Sequence, residues 1–336
     1  MPLEKFGEKM TGRLRLAAFV APLAFAIALG GCGGGSRANG SFSRTLNVSG
    51  PIRLEVANTA GDVVISGSAD GRVRVSADVR ASGFNFVNPQ KRIDELVANP
   101  PIEQKGDTIR IGKDLARLRN IAISYTIEVP RETEVSTTVA SGSQTIHGVR
   151  GPLKVVGVSG AIRVNQVDRF AQLTTVSGSI DASDMGDDVR ATSASGKVTL
   201  ADVKGDVSIN AVSGSSRVTK LGGRVEATTA SGSIDIAGAK SDVQIHAASG
   251  HVTVQGDPGA NTYWNLKTVS GPVRLSVPHG TNFHLSAEAV SGQISADIPI
   301  VIEEQGKHSL RARMGDGGGR VEVHTVTGEI RLTGAA

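Results

Sequence analysis

The sequence predicts an all-β protein, a single-stranded parallel β-solenoid with about 18 residues per coil and a right-handed course. Two observations support this fold class. The dipeptide Ser-Gly returns at a constant step of 18 residues through the middle of the chain, and apolar residues occupy fixed columns of that step. A step that never slips indicates that each repeat has an equivalent place in a stack, because a globular core tolerates insertions at different loops.

Each repeat predicts two short strands separated by two turns. Ile162 and Val164, three and five residues after a corner serine, represent the first strand, while Ala171 and Leu173 represent the second. Alternation of this kind is typical of strands with one buried face. The aliphatic residue at every sixth position that a left-handed triangular helix requires is absent, so we expect a flattened or uneven cross-section.

The Ser-Gly dipeptide is the predicted corner of the coil. Apolar parity changes across it, which requires a bend or bulge where glycine takes a positive φ. We expect the serine hydroxyls to satisfy turn groups and not to act as nucleophiles, since so many equivalent serines cannot all be catalytic. The predicted corner residues are Ser141, Gly142, Ser159, Gly160, Ser177, Gly178, Ser195, Gly196, Ser213, Gly214, Ser231, Gly232, Ser249 and Gly250.

The chain divides into four predicted segments: a signal peptide at 1–31, a Gly/Ser tether at 32–41, N-terminal coils with a cap at 42–140, and regular repeats with C-terminal coils at 141–336. Apolar residues at helical spacing after Pro89 predict a short capping helix at 89–98. Beyond Ser249 the step lengthens to 21 residues for Ser270 and Ser291, then to 36 for Thr327, which equals two coils.

The N-terminus predicts export and lipid attachment. Four basic residues precede an apolar run at 16–29, which is shorter than the roughly 20 residues that span a membrane. The sequence Leu29-Gly30-Gly31-Cys32 then resembles the lipobox of bacterial lipoproteins. This resemblance implies lipidation of Cys32, with the membrane as a partner. It places the protein in the cell envelope, on the periplasmic or surface face of the outer membrane, because Gly33 and not Asp follows the cysteine.

Three features resemble the bacterial putative-adhesin family of unknown function whose members carry β-solenoid repeats. These are the alternating run from Ile123 to Pro130, the repeated Val-Ser-Gly-x-Ile segments, and the glycine-rich ending at 315–319 before a last Thr-Val-Thr-Gly-Glu-Ile. The resemblance covers roughly residues 45–334. It implies the solenoid fold and transfers no activity to any residue.

Composition argues against several classes of function. Loss of a signal with four basic and two acidic residues lowers the formal charge from +4 to +2, so nucleic acid is not an expected partner. Aromatic residues form only 3% of the chain, too few for a stacking platform. No pair of the seven histidines has a recognised metal spacing, so we predict no metal and no cofactor.

One apolar column has two interpretations. The residue before each corner serine is Val or Ala: Val158, Val176, Ala194, Val212, Ala230, Ala248, Val269, Val290 and Val326. We favour an inward position in the core, whereas simple alternation would make it an exposed interaction stripe. Trp264, beside a longer loop, is a further candidate for binding, although filling a wider core is the favoured role.

The leading hypothesis is a non-enzymatic, lipid-anchored envelope β-solenoid, an adhesin or scaffold that binds envelope polysaccharide or protein along its faces. A polysaccharide-active β-helix enzyme is one alternative, for which clustered outward carboxylates would be the sign. A self-assembling filament module is another, for which uncapped end coils would be the sign. The sequence leaves the oligomeric state open.

Overall fold

The computed structural model describes residues 37–82, 88–112 and 120–335. The predicted signal peptide and Cys32 lie outside them. The N-terminal part contains β1 (Arg37–Asn47), β2 (Arg53–Ala60), β3 (Val63–Ser68), β4 (Arg72–Ser82), α1 (Pro89–Ala98), β5 (Ile102–Lys105), β6 (Thr108–Ile111) and β7 (Ile121–Pro130). The regular coils contain β8 (Glu134–Ser141), β9 (Gln144–Val149), β10 (Leu153–Ser159), β11 (Ile162–Val167), β12 (Ala171–Ser177), β13 (Ile180–Met185), β14 (Val189–Ser195), β15 (Val198–Val203), β16 (Val207–Ser213), β17 (Ser216–Leu221), β18 (Val225–Ser231), β19 (Ile234–Ala239), β20 (Val243–Ser249) and β21 (Val252–Gly256). The C-terminal part contains β22 (Tyr263–Ser270), β23 (Val273–Pro278), β24 (Phe283–Ser291), β25 (Ile294–Ala296), β26 (Val301–Gln305), β27 (Ser309–Met314), β28 (Gly319–Thr327) and β29 (Ile330–Ala335).

Across the described residues the strands form two long sheets that enclose one core. The first sheet has 14 strands in the order β1-β4-β7-β3-β9-β11-β13-β15-β17-β19-β21-β23-β29-β25. The second has 15 strands in the order β5-β6-β2-β8-β10-β12-β14-β16-β18-β20-β22-β28-β24-β27-β26. Each regular coil gives one strand to each sheet. The predicted parallel β-solenoid is confirmed, while its handedness stays a prediction.

The register of the regular coils follows the 18-residue step. Ile162 pairs with Ile180 in the first sheet and Leu173 with Ala191 in the second, so equivalent apolar side chains stack from coil to coil. All four are fully buried. Stacking at the roughly 4.8 Å spacing of neighbouring strands makes the core a set of continuous aliphatic columns.

The corner glycines pack backbone to backbone along the rod. Gly160 has φ +118°, and its N–H donates to the carbonyl oxygen of Ser177 at 3.2 Å. A Cβ on Gly160 would lie 2.2 Å from the carbonyl oxygen of Gly142 in the neighbouring coil. The same positive φ and close approach recur at the other predicted corners. Glycine is therefore required here by conformation and by contact.

The corner serine hydroxyls do not satisfy turn groups, contrary to the expectation from the sequence. The side chain of Ser159 points to solvent, as do those of most corner serines, and within the described chain none of these hydroxyls makes a hydrogen bond. The backbone explains the difference, because the serine carbonyl already receives the glycine N–H of the neighbouring coil. The serines thus form a ladder of free hydroxyls on the surface.

The opposite turn uses aspartates. Asp188 accepts a hydrogen bond from the backbone N–H of Asp206 at 2.7 Å, and Asp206 accepts one from the N–H of Arg224 at 2.8 Å. Asp206 also pairs with the guanidinium group of Arg224 at 2.7 Å. These hydrogen bonds hold the pKa of Asp206 below its usual range. The carboxylates therefore bridge successive coils where the strand ladder is interrupted.

The N-terminal end is capped as predicted, and the cap is larger than expected. Helix α1 packs over β1 and β4, with Ile93 fully buried against Gly40. Residues 37–41, assigned to the flexible tether from their composition, belong instead to β1, which pairs antiparallel with β4. Ala38 and Phe42 are buried on its inner face, and this burial holds the segment in the sheet.

The C-terminal coils are not stacked in chain order. Strand β28 lies between β22 and β24, so Ser270 pairs with Thr327, and Thr327 pairs with Ser291. Strand β29 is inserted likewise between β23 and β25. The hairpin of β26 and β27 then continues the second sheet with antiparallel strands. The step of 36 residues before Thr327 thus reflects a hairpin excursion and a return, and not two further coils.

Candidate functional site

The column before the corner serines lies on the surface, so the inward interpretation is wrong. We name it the corner stripe. Its six valines expose between 47% and 62% of their area, in contrast to the buried columns beside them. In spatial order along the rod the corner stripe consists of Val158, Val176, Ala194, Val212, Ala230, Ala248, Val269, Val326 and Val290. Over nine strands this corresponds to a length of about 38 Å.

Simple alternation explains the exposure. In β12, Leu173 and Thr175 point inward and Thr174 and Val176 point outward, so the strand keeps its period up to the serine. The parity change falls on the Ser-Gly dipeptide itself and leaves the preceding residue outside. The inward residue that directly precedes each member of the corner stripe is small in every coil, which lets the chain turn closely over the core.

The flanks of the corner stripe carry little charge. On one side lie outward residues such as Val156, Thr174 and Thr192, and on the other lie the free serine hydroxyls and a second column of small residues. Between residues 156 and 233 the two flanking columns contain a single charged residue, Lys197. Contiguous exposed apolar surface with a polar rim is typical of an interaction site.

At its C-terminal end the corner stripe borders a groove of about 590 Å³, which we name the stripe groove. One wall is apolar and consists of Val269, Val326 and Val290 on three adjacent strands, β22, β28 and β24. The floor consists of the inward residues between the two walls, Thr229, Ala247, Thr268 and Thr325.

The other wall of the stripe groove is polar, with one lysine, one glutamate and two histidines. It consists of Thr228, His246, Lys267, His324 and Glu288, which lie in register on five neighbouring strands. His324 Nδ1 lies 3.3 Å from a Glu288 carboxylate oxygen. Lys267 is exposed and, within the described residues, has no carboxylate at ion-pair distance.

Sequence reasoning missed the stripe groove because it depends on the insertion of β28. His324 and Val326 follow Val269 by more than 50 residues and become its neighbours only through the change in coil order. The Thr-Val-Thr-Gly ending, which repeats the corner motif, was the available signal. It identifies a corner, but not the coil on which that corner stacks.

Trp264 is wrong as a candidate for contact with a ligand. Its side chain is fully buried, and its indole N–H donates to the carbonyl oxygen of Ser241 at 2.9 Å. The indole fills the wider core of the longer coil. Its neighbour Tyr263 is exposed instead and hydrogen-bonds to Glu322.

A second groove, of about 480 Å³, lies along the opposite turns. Asp168, Asp184 and Asp202 line it together with Arg150 and other basic residues. Asp184 and Asp202 have φ values of 56° and 57°, a conformation that short polar side chains tolerate in turns. Arg150 lies 3.4 Å from Asp168. Turn geometry therefore accounts for Asp184 and Asp202 at these positions, and an ion pair for Asp168.

Among the residues that the structure describes, no group of three His, Cys, Asp or Glu side chains could hold a metal ion. On the outer face of the first sheet, Arg217 and Asp235 form an ion pair at 3.4 Å. The lipidation candidate Cys32 lies outside the described residues.

The architecture is that of a capped β-solenoid with an exposed apolar corner. Residues 185–333 match the model of the family described as Toastrack DUF4097, which confirms the resemblance to the β-solenoid putative-adhesin family over just under half of the chain. Among curated proteins the comparison found no match.

Three solved structures are similar at low sequence identity. A putative cell adhesion protein from Clostridium sporogenes is 10% identical, with 88% of this chain and 100% of that chain covered and a TM-score of 0.23. A putative lipid binding protein from Parabacteroides distasonis is 9% identical over 88% and 97%, with a TM-score of 0.37. A putative adhesin from Bacteroides fragilis is 14% identical over 88% and 97%, with a TM-score of 0.24. Likenesses of this size support no argument about function.

In the described part of the chain, no helix has the length and apolar character needed to cross a membrane.

Proposed function

We propose that this protein is a non-enzymatic envelope module, an adhesin or scaffold that binds a protein or polymer along its corner stripe. The observation that supports the proposal is the row of six half-exposed valines, interspersed with three alanines, with nearly uncharged flanks. The row is about 38 Å long, and exposed apolar residues that adjoin one another with a polar rim are typical of an interaction site. Regular spacing offers the same contact on each coil, which suits an extended partner.

The location is part of the same proposal. The lipobox-like sequence before Cys32 supports a lipid anchor at the outer membrane, from which the rod extends into the envelope. Strand β1 begins at Arg37, so only a few residues separate the lipid from the cap. The corner stripe would then be presented close to the membrane.

Retention of the full chain by isolated envelope material tests this function. We expect the variant carrying Val158→Asp, Val176→Asp and Val212→Asp to lose at least about tenfold in retention, because three buried charges would each oppose apolar contact. The matched control carries Val301→Asp and Ile302→Asp, two equally exposed apolar residues on β26, away from the corner stripe. Equal retention of the stripe variant and the wild-type chain would exclude the corner stripe as the binding surface.

A polysaccharide-active enzyme is the second candidate, and the observation that favours it is the presence of Asp168, Asp184 and Asp202 in the second groove, along the opposite turns. Their exposure and ion pairing make it the weaker candidate. Incubation of the full chain with envelope polysaccharides, followed by analysis of chain length, distinguishes the two. Cleavage that disappears in an Asp184→Asn, Asp202→Asn variant would overturn the non-enzymatic proposal.

A further inference from the structure

The stripe groove differs from the rest of the corner stripe in having a polar wall on one side. Its apolar wall is formed by Val269, Val326 and Val290, while Lys267 stands near the middle of the facing wall between His246 and His324. The groove therefore has an amphipathic cross-section. It runs across five strands, a distance of about 19 Å.

The groove runs across the strands, and this direction limits what can lie in it. The backbone N–H and C=O groups of these central strands are already used in the sheet ladder. An extended peptide laid over the sheet face would find no backbone partners, whereas a helix satisfies its own. A helix of about 13 residues matches the 19 Å length at 1.5 Å per residue.

Other occupants fit less well. An acyl chain needs enclosure, and this groove is open along its length. A saccharide usually stacks on aromatic rings, and the walls contain none apart from the two histidines. An amphipathic helix needs only one apolar wall and leaves its other face in water.

The charges of the polar wall indicate the sign of the charge that a ligand would carry. Lys267 has no carboxylate partner among the described residues, and Glu288, the one carboxylate of this wall, lies two strands away beside His324. An acidic side chain on the flank of the helix would supply the missing partner of Lys267. Complementary charge at an interface mainly selects the partner and speeds association.

We infer that the stripe groove binds an acidic amphipathic helix of a partner protein, with the apolar face of the helix on Val269, Val326 and Val290 and a carboxylate at Lys267. This inference rests on the proposed function and names the kind of partner for one end of the corner stripe. It leaves the N-terminal valines of the corner stripe free for other contacts.

Two synthetic helical peptides of about 13 residues test the inference with the full chain. Both carry leucines along one face; one carries glutamates on the flank and the other carries lysines at the same positions. We expect the glutamate peptide to bind at least about tenfold more tightly than the lysine peptide in fluorescence anisotropy. Lys267→Glu should reverse that preference, and Val326→Asp should remove binding of both peptides.

The control variants are Lys240→Glu, an exposed lysine on the opposite turn, and Val301→Asp on β26; neither should change the affinity. Absence of binding, equal binding of the two peptides, or an unchanged preference in Lys267→Glu would overturn the inference. Loss of envelope retention in the Val158, Val176 and Val212 variant would still support the proposed function in that event. The two claims therefore fail separately.

Discussion

At the scale of single residues, the corner is defined by glycine and not by serine. Gly160 combines a positive φ with a backbone contact in which no Cβ fits, while the neighbouring Ser159 is exposed and its hydroxyl has no partner within the described residues. The serine therefore contributes a surface hydroxyl to the face that also carries the corner stripe. The two members of one repeated dipeptide have different roles, one structural and one at the surface.

We predict that Gly160→Ala destabilises the protein by about 2 kcal/mol or more, since an L side chain is strained at this φ and its Cβ meets a carbonyl oxygen. Ser159→Ala should change stability by less than about 0.5 kcal/mol, because the hydroxyl is solvent-exposed and unpaired. Thermal unfolding followed by circular dichroism measures both. Similar melting temperatures for the two variants would contradict the assigned roles.

A second prediction concerns Asp206. Its pKa is lowered in the folded state by the backbone N–H and the guanidinium group of Arg224, so the carboxylate contributes stability above its unfolded pKa. That contribution is lost as the pH falls through the lowered folded value. Asp206→Asn should therefore lower the melting temperature at pH 7, and the difference from wild type should vanish in acid.

The control for this prediction is Asp235→Asn, which removes a looser ion pair with Arg217 and no backbone hydrogen bond. It should have a smaller effect at pH 7. A difference between Asp206→Asn and wild type that persists unchanged at low pH would show that the charge is not the cause.

At the scale of elements, the regular strands could be predicted and the ends could not. The 18-residue step places Ile162 on Ile180 because identical columns stack only in one register. Strand β1 could not be predicted because Gly, Ser and Asn in its sequence are typical of a tether. Its burial depends on α1, which lies some 50 residues further along the chain. Strand β28 was recognised as a corner repeat but not placed, because a long-range insertion leaves no periodic mark.

Cysteine cross-linking tests the inserted coil. In a Cys32→Ser background, Ser270→Cys with Thr327→Cys should form a disulfide on oxidation, because the two residues pair on adjacent strands. Ser270→Cys with Ser291→Cys should not, since one strand lies between them and their Cα atoms are about 10 Å apart. Gel mobility under non-reducing conditions gives the answer. The reverse pattern would indicate coils stacked in chain order.

The capping helix provides another prediction at this scale. Ile93→Asp places a charge against the inner face of β1 and should undock α1, at a cost of at least about 3 kcal/mol. The uncovered strands should then exchange amide hydrogen faster and the protein should self-associate, because open sheet edges and faces recruit other chains. Glu95→Ala on the exposed face of the helix is the control. A monomeric Ile93→Asp variant with unchanged exchange would contradict a protective role.

At the scale of the whole molecule, a residue type that is repeated at one position of every coil produces a linear surface. Alternation decides which column is exposed, and the short apolar side chain before each corner serine becomes a row about 38 Å long. The exposed row could have been derived from the strand period alone, by continuing the alternation through the residue before each corner serine. Its widening into the stripe groove could not, because that feature needs the order of the last three coils.

The capped ends bear on the filament alternative. Antiparallel strands continue both sheets beyond the regular coils at the N-terminal end, and the β26–β27 hairpin does so at the C-terminal end of the second sheet. Exposed Glu303 and Glu304 on β26 oppose the pairing of two like edges. In the first sheet, by contrast, β25 is the last strand at this end and pairs, within the described residues, with β29 alone.

Carbene footprinting of the full chain in isolated envelopes, compared with the purified chain, tests the role of the corner stripe most directly. We expect labelling of Val158, Val176 and Val212 to fall several-fold in envelopes, because a partner excludes water from a contact surface. Labelling of Val301 and Ile302, which are equally exposed on β26, should stay the same. Unchanged labelling of the three valines, with protection on the first sheet or the opposite turns instead, would contradict the account.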